Sequence, residues 1–471
     1  MNNKRVLVSV ATTIFLLLSG FCNFYSVVLA ETKFTWGPYF RIRHEYWKNW
    51  KDMNNDLLDN RNFFRVKSSL WGNLDLNKDI NFYGKLTNEF RAYTYFGGST
   101  PSVPDKSPTK KGYRFEIDEI VFDNLYFNIK NIAGQPLDLC LGRQDLRGFG
   151  EGFLLADGTP QDGSRTYYFN ASKTTLRVDP NNSVDMIYIN DPRDERFLPV
   201  INRKELAAYN KPASDKIPQL LNTTDEEAYS LYWKYAGNPS YDMKGTRQLA
   251  LEMYYIYKIE SGDNGSGYQA SKGRINTFGS FAKYAFGSWA LKGQLASQFG
   301  NYGDNDRQGL GGYAYLEKNF YNSAWKPELK AGYIYLSGDK KKTDKVESWD
   351  PLFSRYPWIS ELYMLSMSAE TGISGYWTNL QVWRTELSFK PSKKTKITLW
   401  YNFLRANEQV AASSIFSGTG KNRGHLPQLK AEYSFSDNIS TYFLAEYLIP
   451  GDFYKNKSEA LFLRSELQFK F

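Results

Sequence analysis

The chain ends with the sequence Ala460-Leu-Phe-Leu-Arg-Ser-Glu-Leu-Gln-Phe-Lys-Phe471. Its residues alternate, and one side carries mostly apolar side chains, at Leu461, Leu463, Ser465, Leu467, Phe469 and Phe471. The other side carries mostly polar ones, at Phe462, Arg464, Glu466, Gln468 and Lys470. A period of two residues is that of a β-strand, and about 9–11 residues are enough for a tilted strand to cross a bilayer. The stretch therefore predicts a membrane-spanning strand.

The amino terminus predicts that the chain is exported. Lys4 and Arg5 precede an apolar run at residues 6–18, and small residues for cleavage follow up to Ala30. This is the pattern of a Sec signal peptide. The run is shorter than the roughly 20 residues that a spanning helix needs, which disfavours a membrane anchor. We expect residues 1–30 to be a signal peptide cleaved near Ala30.

The two cysteines exclude a lipid anchor and a disulfide. Cys22 follows Phe21, where a lipoprotein signal requires a small residue. Only Cys140 remains in the mature chain, residues 31–471, so no intramolecular disulfide can form and a buried thiol is expected.

Composition favours a barrel with a water-filled lumen. Removal of the signal peptide takes two positive charges from the net charge of +9 and leaves +7. Mean hydropathy is −0.54 and aromatic residues make up 17% of the chain. Polar lumen residues and aromatic girdles at both membrane interfaces produce this combination. The alternative is a secreted soluble β-protein of two or more domains, which the lack of a linker-like break disfavours.

Alternating patterns predict about 18 strands, an even number as in single-chain bacterial barrels. They lie near residues 36–47, 61–76, 79–95, 114–129, 136–145, 172–178, 183–190, 226–237, 246–259, 273–286, 288–300, 308–319, 325–337, 377–391, 394–406, 423–436, 438–449 and 458–471. Tight turns alternate with long segments at residues 48–60, 96–113, 146–171, 191–225, 260–272, 301–307, 338–376, 407–422 and 450–457. We therefore predict an all-β fold: a single transmembrane antiparallel β-barrel with short periplasmic turns and long extracellular loops.

Charged side chains on these strands indicate the lumen. A charge facing lipid near mid-membrane costs about 2–4 kcal/mol, so charges are expected to point inward. Two interpretations stay open. Pairs such as Arg43/Glu45 and Glu89/Arg91 fill space across strands, or an unpaired excess of cations concentrates anions. The candidate pore-lining cations on the strands are Arg41, Arg43, Arg65, Lys67, Lys85, Arg91, Lys292, Lys396 and Arg464.

Several segments carry a family resemblance. They are Gly142-Arg-Gln-Asp-Leu146 with Ala156-Asp-Gly-Thr-Pro-Gln-Asp-Gly-Ser-Arg165, Tyr333-Ile-Tyr-Leu-Ser-Gly-Asp339 with Trp349-Asp-Pro-Leu-Phe-Ser-Arg355, and Asn379-Leu-Gln-Val-Trp-Arg384. These segments resemble the alginate export family of outer-membrane channels. The resemblance implies a passive, anion-selective pore with arginines and lysines at its constriction and a long loop folded into the lumen. Arg143, Arg165 and Arg384 lie in the matching segments and are further candidates for the constriction. Either residues 146–171 or residues 338–376 could form that loop, and the sequence does not decide between them.

The expected function is a bacterial outer-membrane channel. It would let an acidic polysaccharide or oligosaccharide, or another anionic solute, diffuse through an Arg/Lys-lined pore. The alternative is a general or substrate-selective porin for small anions. We expect outer-membrane lipid around the barrel, no cofactor, no metal and no nucleic-acid partner, and we leave open a periplasmic protein that feeds the pore.

Other classes of function are less favoured. The sequence holds only two histidines, His44 and His425, and neither accompanies a serine motif such as Gly-x-Ser-x-Gly. An enzyme is therefore not expected, although a pair of lumen carboxylates acting on a glycoside stays open. A plugged barrel with a purely structural role also stays open.

Overall fold

The computed structural model describes residues 32–56, 60–96, 114–117, 120–156, 169–193, 196–199, 224–237, 248–261, 272–340 and 342–471. The predicted signal peptide and the candidate Arg165 lie outside these residues.

Strands form nearly all of the regular structure. They are β1 (Lys33–Lys48), β2 (Arg61–Asp75), β3 (Ile80–Phe96), β4 (Arg114–Ile117 and Val121–Ile129), β5 (Leu137–Gln144), β6 (Phe169–Arg177), β7 (Asn182–Asp191), β8 (Asp225–Ala236), β9 (Gln248–Ser261), β10 (Gly273–Phe286), β11 (Trp289–Tyr302), β12 (Asn305–Asn319), β13 (Glu328–Leu336), β14 (Leu380–Ser392), β15 (Thr395–Arg405), β16 (Asn422–Ser434), β17 (Ile439–Pro450) and β18 (Ala460–Lys470). Both parts of β4 pair with β3 and so form one strand. The described residues thus contain 18 strands, as predicted.

The sheet closes on itself. β1 pairs antiparallel with β2, where Arg43 lies opposite Arg65, and with β18, where Arg43 lies opposite Glu466. Every other strand pairs antiparallel with its two neighbours in sequence. Closure removes the sheet edges, whose backbone groups could not be satisfied in lipid. The prediction of a closed antiparallel barrel is confirmed.

The connections alternate in length as expected, with one exception. Residues 301–307 were predicted to be a long segment, but β11 and β12 continue to Tyr302 and Asn305, which lie opposite each other. Only Gly303 and Asp304 remain between them, and Gly303 has a φ of +58°. Positive φ values are what a two-residue hairpin turn requires. This prediction was wrong because the turn residues extend the strands instead of ending them.

The two faces of the sheet differ in the way the sequence predicts. On β11, Leu291 and Leu295 are 53% and 59% exposed on the outer face, whereas Gln294 and Gln298 are buried on the inner face. β1 shows the same division, because Arg41 is buried and Phe40 is exposed. Apolar side chains therefore face the membrane and polar ones face the lumen.

Two short helices lie between β13 and β14. They are α1 (Glu361–Ser366) and α2 (Ser368–Thr371). Across the described residues, no helix has the length and apolar character needed to cross a membrane.

Substitution of Leu295 by Arg tests which face meets lipid. Leu295 lies in the middle of β11, so a cation there should reduce the free energy of unfolding by about 2–4 kcal/mol. Urea titration of the barrel refolded in lipid vesicles measures this change. Leu295→Phe, which keeps the position apolar, is the control and should change stability little. Equal stability of the two variants would contradict the assignment of this face.

Candidate functional site in the barrel lumen

The segment that connects β13 to β14, described at residues 337–340 and 342–379, folds into the lumen around Trp349, and we call it the inner loop. Trp349 of this loop lies against Gly311 on the inner face of β12, where a Cβ atom would come within 2.6 Å of the indole ring. Phe153, from the segment 145–156 after β5, stacks on Trp349 with ring centroids 5.2 Å apart. Described residues of both loops, Phe153 and Trp349, therefore fill part of the lumen.

An ionic cluster ties the inner loop to the barrel wall. Arg355 of the loop lies 2.8 Å from Glu226 on β8 and 3.4 Å from Glu260 on β9. Lys258 approaches the same two carboxylates at 2.5 and 3.2 Å. Burial alone would lower the pKa of Arg355, but the neighbouring Glu226 and Glu260 raise it above its ordinary value. The guanidinium therefore stays charged and holds the loop.

A second anchor lies at the start of α1. Glu446 on β17 accepts hydrogen bonds from the Ser360 hydroxyl at 2.6 Å and from the Leu362 backbone N–H at 2.7 Å. Ser360 also caps α1 by accepting a bond from the Tyr363 N–H. One carboxylate of the wall thus fixes where the helix begins.

A cluster of arginines and glutamates covers the inner face of β18, β1, β2 and β3. Arg41 and Arg65 lie 2.6 and 2.7 Å from Glu89. Further pairs join Arg43 to Glu466 at 2.5 Å, Arg43 to Glu45 at 3.4 Å, Arg464 to Glu45 at 2.8 Å and Arg464 to Glu361 of the inner loop at 2.5 Å. Four of the candidate cations are therefore engaged in ion pairs across strands, as the first interpretation expected.

The other candidates are spread around the lumen. Lys67 is buried beside this cluster, Arg91 lies 3.7 Å from Glu89, and Lys85 lies 2.6 Å from Asp123. Lys292 lies 2.8 Å from Glu151 of segment 145–156 and 3.3 Å from Glu317. Arg143 is buried and donates to Asn170 and to the Phe122 carbonyl. Lys396 is exposed near the turn that joins β14 to β15.

Arg384 is held in the lumen by neutral groups. Its Nη1 donates to the Ile359 carbonyl at 3.2 Å and to Asn402 Oδ1 at 3.0 Å, and its guanidinium lies 5.6 Å from the Trp400 ring centre. Among the described residues no carboxylate lies within 4.0 Å of it. Its Nε and Nη2 also have no hydrogen-bond partner there, and the side chain is half-buried. These two N–H groups form the edge with which arginine binds a carboxylate through two parallel hydrogen bonds.

A cavity of about 860 Å³ lies at the end of the lumen where the short turns are. Its lining includes Trp71, Tyr83 and Tyr126 on adjacent strands, together with Lys173 and Lys470. Its location beside the turn at residues 435–438 places it at the periplasmic end of the predicted orientation. We call this cavity the vestibule.

Several lumen residues are not among the candidates that the sequence predicts. Glu226, Lys258 and Glu260 alternate with outward-facing residues in the same way as the candidates on β1, so the same sorting applied to β8 and β9 would have found them. Arg355 ends the segment Trp349–Arg355, and the sequence alone does not place it beside these strands. In the described ranges, no group of three or more His, Cys, Asp or Glu side chains is placed to hold a metal ion.

The barrel is similar to outer-membrane porins of known structure. OccAB4 of Acinetobacter baumannii aligns with 95% of this chain and 100% of its own, with a TM-score of 0.53 and 11% identity. OpdK of Pseudomonas aeruginosa aligns with 93% of this chain and 98% of its own, with a TM-score of 0.51 and 10% identity. OccK2 (OpdF) of the same species aligns with 93% of this chain and 98% of its own, with a TM-score of 0.50 and 9% identity. At such identities the similarity shows the fold alone, and this fold is that of an outer-membrane β-barrel porin.

The family comes from the sequence itself. Residues 232–464, just under half of the chain, match the model of the alginate export family. The resemblance to that family is therefore confirmed over these residues. Family and fold indicate a transporter rather than an enzyme. A comparison with curated proteins found no match.

Removal of the Arg355 side-chain charge tests the role of the inner loop. Arg355→Met breaks a buried ion pair, a change that typically costs about 3–5 kcal/mol. We expect this cost to destabilise the docking of the inner loop against the wall while the barrel stays folded. Single-channel conductance should then rise, and the loop should become sensitive to protease.

The matched control is Lys340→Met, because Lys340 is an exposed cation on the same loop, 61% exposed and paired with Glu347. It should leave conductance unchanged. Gly311→Leu, which displaces Trp349 from the opposite side, should act like Arg355→Met. Unchanged conductance in Arg355→Met and in Gly311→Leu would show that the loop does not narrow the pore.

Proposed function

We propose that the protein is an outer-membrane channel for the passive, anion-selective passage of an acidic polysaccharide or oligosaccharide. In this proposal the chain reaches the outer membrane after Sec export and cleavage near Ala30. Cations of the lumen attract the solute, and no energy source or cofactor takes part.

The observation that carries the proposal is the unpaired guanidinium edge of Arg384 among the described residues. Most lumen cations already have carboxylate partners, which cancels much of their attraction for a solute. Arg384 instead presents Nε and Nη2 without a partner among the described residues. Its other edge is held by Asn402 and by the Ile359 carbonyl. A cation fixed in this way can bind carboxylates of a passing chain one after another.

Two further points support an acidic saccharide. The family matched over residues 232–464 is that of alginate export. OccK2 (OpdF), a porin of the same fold, has been crystallised with glucuronate, and OpdK with vanillate. The vanillate complex also favours the second candidate function, a porin for small organic anions.

Neutralising Arg384 should weaken anion selectivity. At about 4 Å in a water-filled lumen a unit charge contributes about 1 kcal/mol, so Arg384→Gln should lower the anion-to-cation permeability ratio by about two- to fivefold. Arg384→Glu should lower it further. Reversal potentials of single channels in a KCl gradient across a planar bilayer measure the ratio.

Arg405→Gln provides the matched control, because Arg405 is exposed on the outer face at the end of the neighbouring strand β15. This variant makes the same charge change outside the lumen and should keep the wild-type ratio. Absence of conductance in the wild-type protein, or a preference for cations, would contradict the proposed function.

A further inference from the structure

Three aromatic side chains form a row on the inner wall of the vestibule. Trp71 on β2, Tyr83 on β3 and Tyr126 on β4 lie on consecutive strands, and we call them the aromatic ladder. The ring centroids of Trp71 and Tyr83 are 6.4 Å apart with planes 18° from parallel. Those of Tyr83 and Tyr126 are 5.2 Å apart with planes 26° from parallel. Aromatic pairs at such distances prefer an offset arrangement, which leaves part of each ring face uncovered.

The ladder faces the lumen and not the membrane. All three rings line the vestibule, whereas their sequence neighbours Leu70 and Phe127 are 51% and 48% exposed on the outer face. The girdle function of aromatic residues at a membrane interface therefore does not account for them.

The polar atoms of the ladder have no partners in the described part of the chain. The Trp71 indole N–H and the hydroxyls of Tyr83 and Tyr126 make no hydrogen bond with any described residue, and none of these atoms is buried. The hydroxyl of Tyr39, which also lines the vestibule, is buried and has no partner either. A row of apolar ring surface bordered by unused donors matches a sugar, which has C–H faces and hydroxyl edges.

Two cations of the vestibule are also available. Lys173 and Lys470 have no carboxylate within 4.0 Å in the described part of the chain. By contrast, Lys85 lies 2.6 Å from Asp123, and Asp145 is engaged by Arg147 at 2.9 Å. Asp437, in the turn at the rim, also lines the vestibule. The two lysines can therefore pair with carboxylates that lie beside the ladder.

We propose that the aromatic ladder, with Lys173 and Lys470, is a binding subsite for the sugar rings of an acidic oligosaccharide. The apolar face of each sugar ring packs on an aromatic ring, its hydroxyls bond to the tyrosine and indole tips, and its carboxylate pairs with a lysine. The ladder spans two inter-strand steps, roughly 10 Å, so it holds more than one sugar ring at a time. This subsite deepens the proposed function and rests on it in taking the solute to be an acidic saccharide.

Current block by a hexuronate trisaccharide tests the subsite. In a planar bilayer, trisaccharide added on the periplasmic side should interrupt the wild-type current in discrete events. Trp71→Leu combined with Tyr126→Leu should weaken the block about tenfold, the loss expected for about 1.4 kcal/mol of contact energy. The effect should appear as shorter blocked intervals, since changes in binding contacts act mostly on dissociation.

Several variants separate the parts of the subsite. Trp36→Leu removes a tryptophan that is 63% exposed on the outer face. The trisaccharide should block this variant as strongly as it blocks the wild type. Tyr126→Phe keeps the ring, so it should weaken the block by the trisaccharide less than Tyr126→Leu does. This pair of single variants tests the subsite if the double variant does not fold. Lys173→Met should weaken block by the hexuronate trisaccharide but not by a neutral glucose trisaccharide.

The outcomes distinguish this subsite from the proposed function. Anion-selective current with no block by the trisaccharide, or with equal block in the ladder variants and wild type, overturns the subsite and leaves the anion channel intact. If the wild-type channel shows no anion selectivity but the ladder variants weaken the block, the proposed anion channel is overturned and the sugar-binding ladder is retained.

Discussion

The pairing of β1 with β18 is the contact on which the rest of the structure depends. In hydrocarbon an unpaired backbone N–H or C=O costs several kcal/mol, so a spanning sheet with two open edges is not stable. Registering Arg43 opposite Glu466 closes the ring. It also places the inward-facing positions of the first and last strands side by side. The same contact that satisfies the backbone thus assembles the arginine–glutamate cluster from the two ends of the chain.

Enclosure then determines how the charges behave. Once the inner loop occupies the lumen, charged side chains on the wall lose water and need partners, because an isolated buried charge is costly. The loop's Arg355 provides one for Glu226 and Glu260 on the wall, and the loop's Glu361 provides one for Arg464 on the wall. Such pairs add little net stability, since desolvation offsets their attraction. Their effect is positional, because they fix where the loop lies against the wall.

Much of the fold could be predicted from the sequence because lipid imposes a simple rule at every second residue. The outward Leu463 and the inward Arg464 follow directly from that rule. The pairing of inward charges could not be predicted, because Arg43 and Glu466 are 423 residues apart and only the register joins them. The position of Arg355 depends on a loop with no period. The sequence does not predict the short turn at Gly303, because the polar residues on either side of it look like a loop but continue two strands.

The number of cations in a lumen is consequently a poor measure of what the lumen attracts. Arg41, Arg43, Arg65 and Arg464 carry the same charge as Arg384, yet their carboxylate neighbours lie within hydrogen-bonding distance. A solute that approached them would compete with Glu45, Glu89 and Glu466, which are already desolvated and in place. Arg384, Lys173 and Lys470 have no carboxylate within 4.0 Å among the residues that the structure describes, so they require no such exchange. Recognition of an anion is therefore expected where the wall has a cation without a carboxylate of its own, and the strand pattern alone does not reveal those positions.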